Sequence, residues 1–445
     1  MKLILITWLF CSISIVSWSQ EQLEAYVQEA VQNNQQLLQE AMNVRSSQAA
    51  LSEASGLFMP SVDFMADYTL ADGGRNIQFP VGDLFNPVYG TLNQLTETGS
   101  FPTDLENVNE QFLPNDFHDT KIRIVQPLFN ADIYYNRRAR QRLVEVSEAR
   151  KAAYEKELIK EVKVAYFNHL QALESTAIYL ANIEALEEAE RFNQLRFEQD
   201  LITRDQVYRV SSQLANTRAE WTEANAQVVN SRSYFNFLLD RPVTSEIIID
   251  STLSISEFTG EISVERAWQD RQELLQVKAA QEAQHQSIKL AQGSKLPQLN
   301  GVLDMGYQGF GYGFENEQQY YLVNFSLSWN IFKGFQNQRK VQRQQIELEV
   351  LESQEAQLRR QIALEVTRAY QAYYSAQNRY EAANISIRSA SRSFDITGSR
   401  YRENQALLVE YLDAQSNYQS AQLQASIAKY ALMARKSELE RALAY

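Results

Sequence analysis

Residues able to do chemistry are few in this chain, and their spacing does not suit it. The three histidines, His118, His169 and His285, stand far apart and form no ligand-like cluster. The single cysteine, Cys11, has no second thiol to pair with. There is no Gly-rich phosphate loop, no nucleophile elbow and no zinc spacing. The acidic residues are scattered along helical stretches, the usual arrangement of a solvated face. No catalysis, metal or cofactor is expected. A net charge of −13 makes nucleic acid an unsuitable partner.

The placement of Gly and Pro says more. Between Leu128 and Arg241 there is neither, and from Phe335 to Tyr445 there is only Gly398. Such stretches, rich in Ala, Gln, Glu, Leu and Arg, read as very long helices. Ile159, Val162, Tyr166, Leu170, Leu173, Ala177 and Leu180 keep the helical period. A helix over roughly 131–199 would extend on the order of 100 Å, more than a compact domain needs. Each long run is expected to fold back once. The returns fall near "RFEQDLITRDQVYR" (196–209) and "RYRENQALLVEYLD" (400–413), where Asp200 and Asn404 tolerate the left-handed backbone of a tight turn.

The two halves repeat. "NQQLLQ" (34–39) aligns with "RQELLQ" (271–276), and the same offset carries Gly56 to Gly293 and Pro60 to Pro297. At these Gly–Pro pairs the hydrophobic period changes from helical to alternating. Strands are expected over about 61–70, 119–128, 298–307 and 321–332. In the last, Val323, Phe325, Leu327, Trp329 and Ile331 alternate with Asn324, Ser326, Ser328 and Asn330. Ten residues are enough for a tilted strand to cross an outer membrane. Residues 71–118, with five glycines and four prolines, read as a long irregular loop. The start, Lys2 followed by an apolar run and Ser17-Trp18-Ser19, reads as a secretory signal over 1–19, the mature chain beginning at Gln20. Cys11 lies inside it in a poor lipoprotein context. The chain then divides into a first repeat (20–237), a linker (238–262) and a second repeat (263–445).

The paired entries "LFMPSVDF" and "SKLPQLNG", the exits "QPLFNA" and "WNIFKG", and the two turns make the chain resemble the TolC family of outer-membrane efflux proteins over essentially its whole mature length. The resemblance implies a mainly α fold with a transmembrane β-barrel. Three copies would give four strands each to one twelve-stranded barrel, above a periplasmic α-helical tunnel, with the linker at its equator. Gly56, Pro60, Gly293 and Pro297 would be the helix-to-barrel junctions. The expected partners are two further copies (a homotrimer), outer-membrane lipid, a periplasmic adaptor (membrane fusion) protein and an inner-membrane pump. The adaptor would dock at tips marked by Arg196, Asp200, Arg400 and Asn404. The family usually has Gly at the positions of Asp200 and Asn404. Its gate tyrosine falls on Tyr401 and its acidic ring on Glu410 and Asp413, three apart and so on one helix face. Asp205 adds to that ring one residue out of register. The family's partner arginine falls on Ala406, so one closing link is missing. The implied function is a passive exit duct for small molecules or proteins. The rivals are a coiled-coil adaptor or scaffold without a barrel, and an enzyme carried on a helical frame.

Overall fold

The computed structural model describes residues 21–249 and 255–445. The expected signal segment, with Cys11 and Gln20, lies outside them. The chain forms two compact units.

One unit is built from the described parts of Met1–Gln48, Gln141–Ala283 and Glu347–Tyr445. It takes α1 (Glu21–Asn33) and α6 (Val264–Asp270) whole, and parts of α2 (Gln35–Gly56), α4 (Ala131–Glu198), α7 (Gln272–Gly293) and α8 (Gln336–Arg402). It also holds α5 (Arg204–Leu238) and α9 (Leu408–Ala442). The runs that hold no Pro and only Gly398 between them are thus two helical hairpins, α4–α5 and α8–α9. Their long arms of 68 and 67 residues pair with short arms of 35 each. One core gathers Tyr26 of α1 with Tyr166 and Phe235, whose ring meets Tyr26 edge-on at 5.1 Å. A second gathers Leu274, Ile362, Val366, Leu439 and Leu443.

The repeat extends to individual bonds. α1 breaks before α2 at Asn34, and α6 breaks before α7 at Arg271, the aligned position. Asn34 Nδ2 donates to the carbonyl of Leu238 at 3.0 Å, and Arg271 Nη1 donates to that of Ala442 at 3.3 Å. Each side chain serves an orphan carbonyl at the end of a short hairpin arm.

The other unit takes Ala49–Arg140 and Gln284–Ile346. Its sheet has the antiparallel order β1 (Ser61–Thr69), β4 (Phe117–Phe129), β5 (Gln298–Phe310), β6 (Gln319–Ser328). α2 ends at Gly56 and β1 starts directly after Pro60; α7 ends at Gly293 and β5 starts directly after Pro297. Met59 N donates to Gly56 O at 2.9 Å, and Leu296 N to Gly293 O at 2.8 Å, so the exit turns match. Pro127 sits where the β4–β5 register shifts, a bulge that tolerates the missing N–H.

Two expectations are corrected. The last strand stops at Ser328, not 332, so Trp329 and Ile331 lie outside the sheet. Ser328 pairs with Gln298, the first residue of β5, and the residue before it, Pro297, has no N–H with which to extend the ladder. The stretch 71–118 is also not irregular. It folds into a two-stranded ribbon, β2 (Asn76–Phe79) with β3 (Val108–Gln111), around the helix α3 (Val81–Thr96). Asn86 and Asn93 hold that helix through paired amide bonds to the backbone of Leu105 and Phe101, at 2.8–3.0 Å. Gly82 is required there, because a Cβ would lie 2.1 Å from the Leu105 carbonyl oxygen.

Candidate functional site

In an antiparallel sheet, residues directly opposite one another point to the same face. The register therefore sorts all four strands at once. Val62, Ile124, Leu303 and Val323 form one row, and Phe64, Ile122, Met305 and Tyr321 the next. Phe325 and Leu327 continue the same face. Phe64 is 73% exposed and Tyr321 80%, so this wide apolar surface is left uncovered by the described residues. The opposite face carries Asp63, Asp67, Asp119, Lys121, Arg123 and Asp304, with Leu322, Val125 and Val302 among them. Arg123 grips Asp304 through two bonds of 2.8 and 2.7 Å, and the Tyr320 hydroxyl donates to Asp119 at 2.8 Å. Such a sheet is suited to lipid on one side and water on the other. Its edge strands, β1 and β6, have no partner strand on their outer side among the described residues. Unpaired strand edges leave backbone N–H and C=O groups without partners, a cost that hydrocarbon does not relieve. Trp329, just past β6, is exposed and donates its indole N–H to the Lys295 carbonyl at 3.0 Å. Among the described residues, no helix is long and apolar enough to cross a membrane.

The hairpin tips form the second candidate region. Asp200 and Asn404 both adopt left-handed backbone, with φ of 58° and 60°. Leu201 N donates to Arg196 O at 2.9 Å, and Gln405 N to Arg400 O at 2.7 Å. Both turns are therefore Schellman closures of one kind. Glycine carries no Cβ penalty in this conformation. Asn404→Gly and Asp200→Gly are expected to stabilise the fold by up to about 1 kcal/mol each, and Asn404→Ala to cost about 1 kcal/mol. Thermal unfolding of the three variants checks the order.

Around these turns the structure gathers side chains from both hairpins. Tyr401 is buried against Ala189, Val210 and Leu408, and its hydroxyl donates to Asn193 Oδ1 at 2.6 Å. Burial pushes the Tyr401 phenol above its ordinary value, so it stays protonated and donating. The Arg196 guanidinium lies over Phe192 and Tyr401, at 5.4 and 5.9 Å. Arg400 donates to the Gln405 carbonyl at 3.0 Å. Tyr411 stacks on Tyr401 at 5.1 Å, and Gly398 faces it: a Cβ there would already touch the Tyr411 ring. Glu410 accepts the Leu407 backbone N–H at 2.9 Å and so caps α9, while Asp413 is exposed one turn further on. Asp205, in the first turn of α5, accepts from Thr203 and lies 3.8 Å from Arg209. The structure brings Tyr401 and Arg196 together. The carboxylates of Glu410, Asp413 and Asp205 are on the outside of their helices.

The sequence reading missed the buried amides. Asn193 is fully buried and bonds Tyr401; Gln415, also fully buried, donates to Asn182 Oδ1 at 3.0 Å across α9 and α4. The available signal was an amide at core spacing in a helix that otherwise buries apolar residues.

Comparison with known proteins agrees with this geometry. Residues 264–444 match the family described as "Outer membrane efflux protein". Over 446 residues the chain is 22% identical to "Outer membrane protein TolC" of Vibrio cholerae, with 97% of this chain and 92% of the relative covered. Among solved structures, it superposes on the Campylobacter jejuni CmeC outer membrane channel with a TM-score of 0.80 at 16% identity, covering 95% of this chain and 86% of the other. It superposes on the open-state Neisseria gonorrhoeae MtrE outer membrane channel with a TM-score of 0.76 at 16% identity, covering 95% and 89%. The resemblance to the TolC family read from the sequence is borne out.

Proposed function

We propose that this protein, an outer membrane efflux protein of TolC type, is the passive exit duct of a tripartite efflux or type I secretion machine. It sits in the bacterial outer membrane with its helices in the periplasm. The single observation that carries the reading is the sheet: four strands in one register, apolar on one face and charged on the other, with both edges open. An adaptor or scaffold without a barrel has no use for such a surface, and neither does a soluble enzyme. Three copies close the barrel, an adaptor meets the tips at Asp200 and Asn404, and an inner-membrane pump supplies the energy. Cargo passes as small molecules or proteins without being transformed. Membrane fractionation, a native gel and conductance in planar bilayers test this. A monomer in the soluble fraction that forms no pores would overturn it.

The tips would also form the periplasmic gate. Tyr401 ties the two hairpins of one copy together, and Glu410 and Asp413 of three copies ring the axis, with Asp205 beside them. Such a ring attracts cations and repels anions. Because Glu410 also caps α9, the useful variant keeps an acceptor there. Glu410→Gln with Asp413→Asn should lower cation preference in single-channel recordings and weaken block by multivalent cations. Unchanged selectivity in the assembled variant would remove both residues from the gate.

A further inference from the structure

The excursion between β1 and β4 carries a helix whose amphipathicity is inverted. α3 turns Gly82, Asn86, Tyr89 and Asn93 toward its own chain, where the asparagines bind the backbone of Leu105 and Phe101. Its apolar side faces out. Leu84, Val88 and Leu95 follow helical spacing at 62%, 51% and 77% exposure, with Phe85 beside them. The polar contacts are already satisfied inward, so the helix is held fixed with this stripe presented to solvent. An apolar stripe on an ordered helix marks an interaction surface.

The position of the excursion says what covers it. It springs from β1, a free edge of the sheet, and its two ends are tied together there. Ala71 N donates to Asn115 Oδ1 at 3.0 Å, Gln111 Nε2 to the Ala71 carbonyl at 3.2 Å, and Phe112 N to the Arg75 carbonyl at 2.9 Å. The β1 edge is where another copy has to add its strand. The excursion therefore stands at the seam between copies. Residues 71–116 hold seven acidic side chains and one basic, Arg75, which sets them against a lipid surface of negative charge. We infer that the Leu84–Val88–Leu95 stripe of α3 packs on the adjoining copy of this chain, clasping the barrel seam outside the membrane. The inference rests on the barrel reading above.

The test places the photo-cross-linker benzoylphenylalanine at Val88 in the full chain, with Asp104 as the background position, and irradiates cells that make it. A product of twice the chain mass from position 88, well above that from position 104, supports the clasp. An assembled trimer on a native gel with no doubled-mass product, or with an adduct to lipid or to a foreign protein, overturns it and leaves the channel reading intact. A monomer on the native gel overturns both. As a second measurement, Leu84→Glu with Val88→Glu should make the detergent-solubilised trimer dissociate at lower temperature than the parent. An unchanged dissociation temperature counts against the clasp.

Discussion

Arg271→Met is expected to cost about 3–5 kcal/mol of folding stability, the range for breaking a buried ionic cluster by removing one member. Arg271 is 5% exposed at the break between α6 and α7. A guanidinium has five N–H donors, and here every one is used. Nε and Nη2 bind Glu273 at 3.1 Å, Nη1 and Nη2 bind Glu365 at 3.1 Å, and Nη1 also binds the Ala442 carbonyl. Arg441, itself 9% exposed, binds Glu273 and Glu157 on the other side. Methionine would fill the space but leave Glu273 with one cation and the end of α9 with an orphan carbonyl. Lysine would keep the charge and lose the fork, so Arg271→Lys should fall between parent and Arg271→Met. Denaturant unfolding of the detergent-solubilised protein orders the three. Equal stability of Arg271→Met and parent would show that the cluster contributes nothing.

The same cluster sets a pH dependence. Burial alone would raise the carboxyl of Glu273, but the guanidinium groups of Arg271 and Arg441 overcome it and hold the carboxyl below the ordinary glutamate range. A group depressed in the folded state contributes stability that is present above its unfolded value, around 4.3. That contribution is lost as pH falls through the lower folded value. Acid should therefore weaken the parent below about pH 4, and Arg271→Met should flatten that part of the curve.

How much of this was legible can be judged residue by residue. The Gly–Pro exits were readable because each acts locally: a helix cannot continue through Pro60 or Pro297, and alternation begins at once beyond them. The tips were readable because Asp200 and Asn404 are among the few residues that accept left-handed backbone cheaply. α3 was not readable. Gly82, Pro87 and Gly90 all argue against a helix, which is held instead by Asn86 and Asn93 through bonds to residues up to 19 positions away. The end of β6 depended on where β5 begins, a fact of pairing that alternation within one strand cannot contain. Arg271 was visible only as the first letter of "RQELLQ". Its equivalence to Asn34 becomes physical once both are seen binding the last carbonyls of the short hairpin arms. At the tips, the sequence supplied Tyr401, but its partner Asn193 is 208 residues distant and needed the fold to bring it near.

Phe325→Arg is expected to cost about 2–4 kcal/mol if its row lies near the bilayer midplane, and less toward either interface. The argument is one of facing. Phe325 lies directly opposite Gly301 and is 67% exposed on the apolar side. Its ring covers the glycine so closely that a Cβ at Gly301 would meet it at 3.5 Å. An arginine there exchanges that contact and the lipid contact for a charge in hydrocarbon, relieved only as far as the side chain can reach toward the headgroups. The neighbouring residue supplies the control. Asn324 pairs with Val302 on the charged side of the sheet, so Asn324→Arg should assemble nearly as well as the parent and alter conductance instead. Folding into lipid vesicles, followed by denaturant titration, gives the two costs side by side. A large loss for Phe325→Arg with a small one for Asn324→Arg fixes which face meets lipid. Equal losses, or a larger loss for Asn324→Arg, would mean that the sheet is turned the other way or does not lie in a membrane.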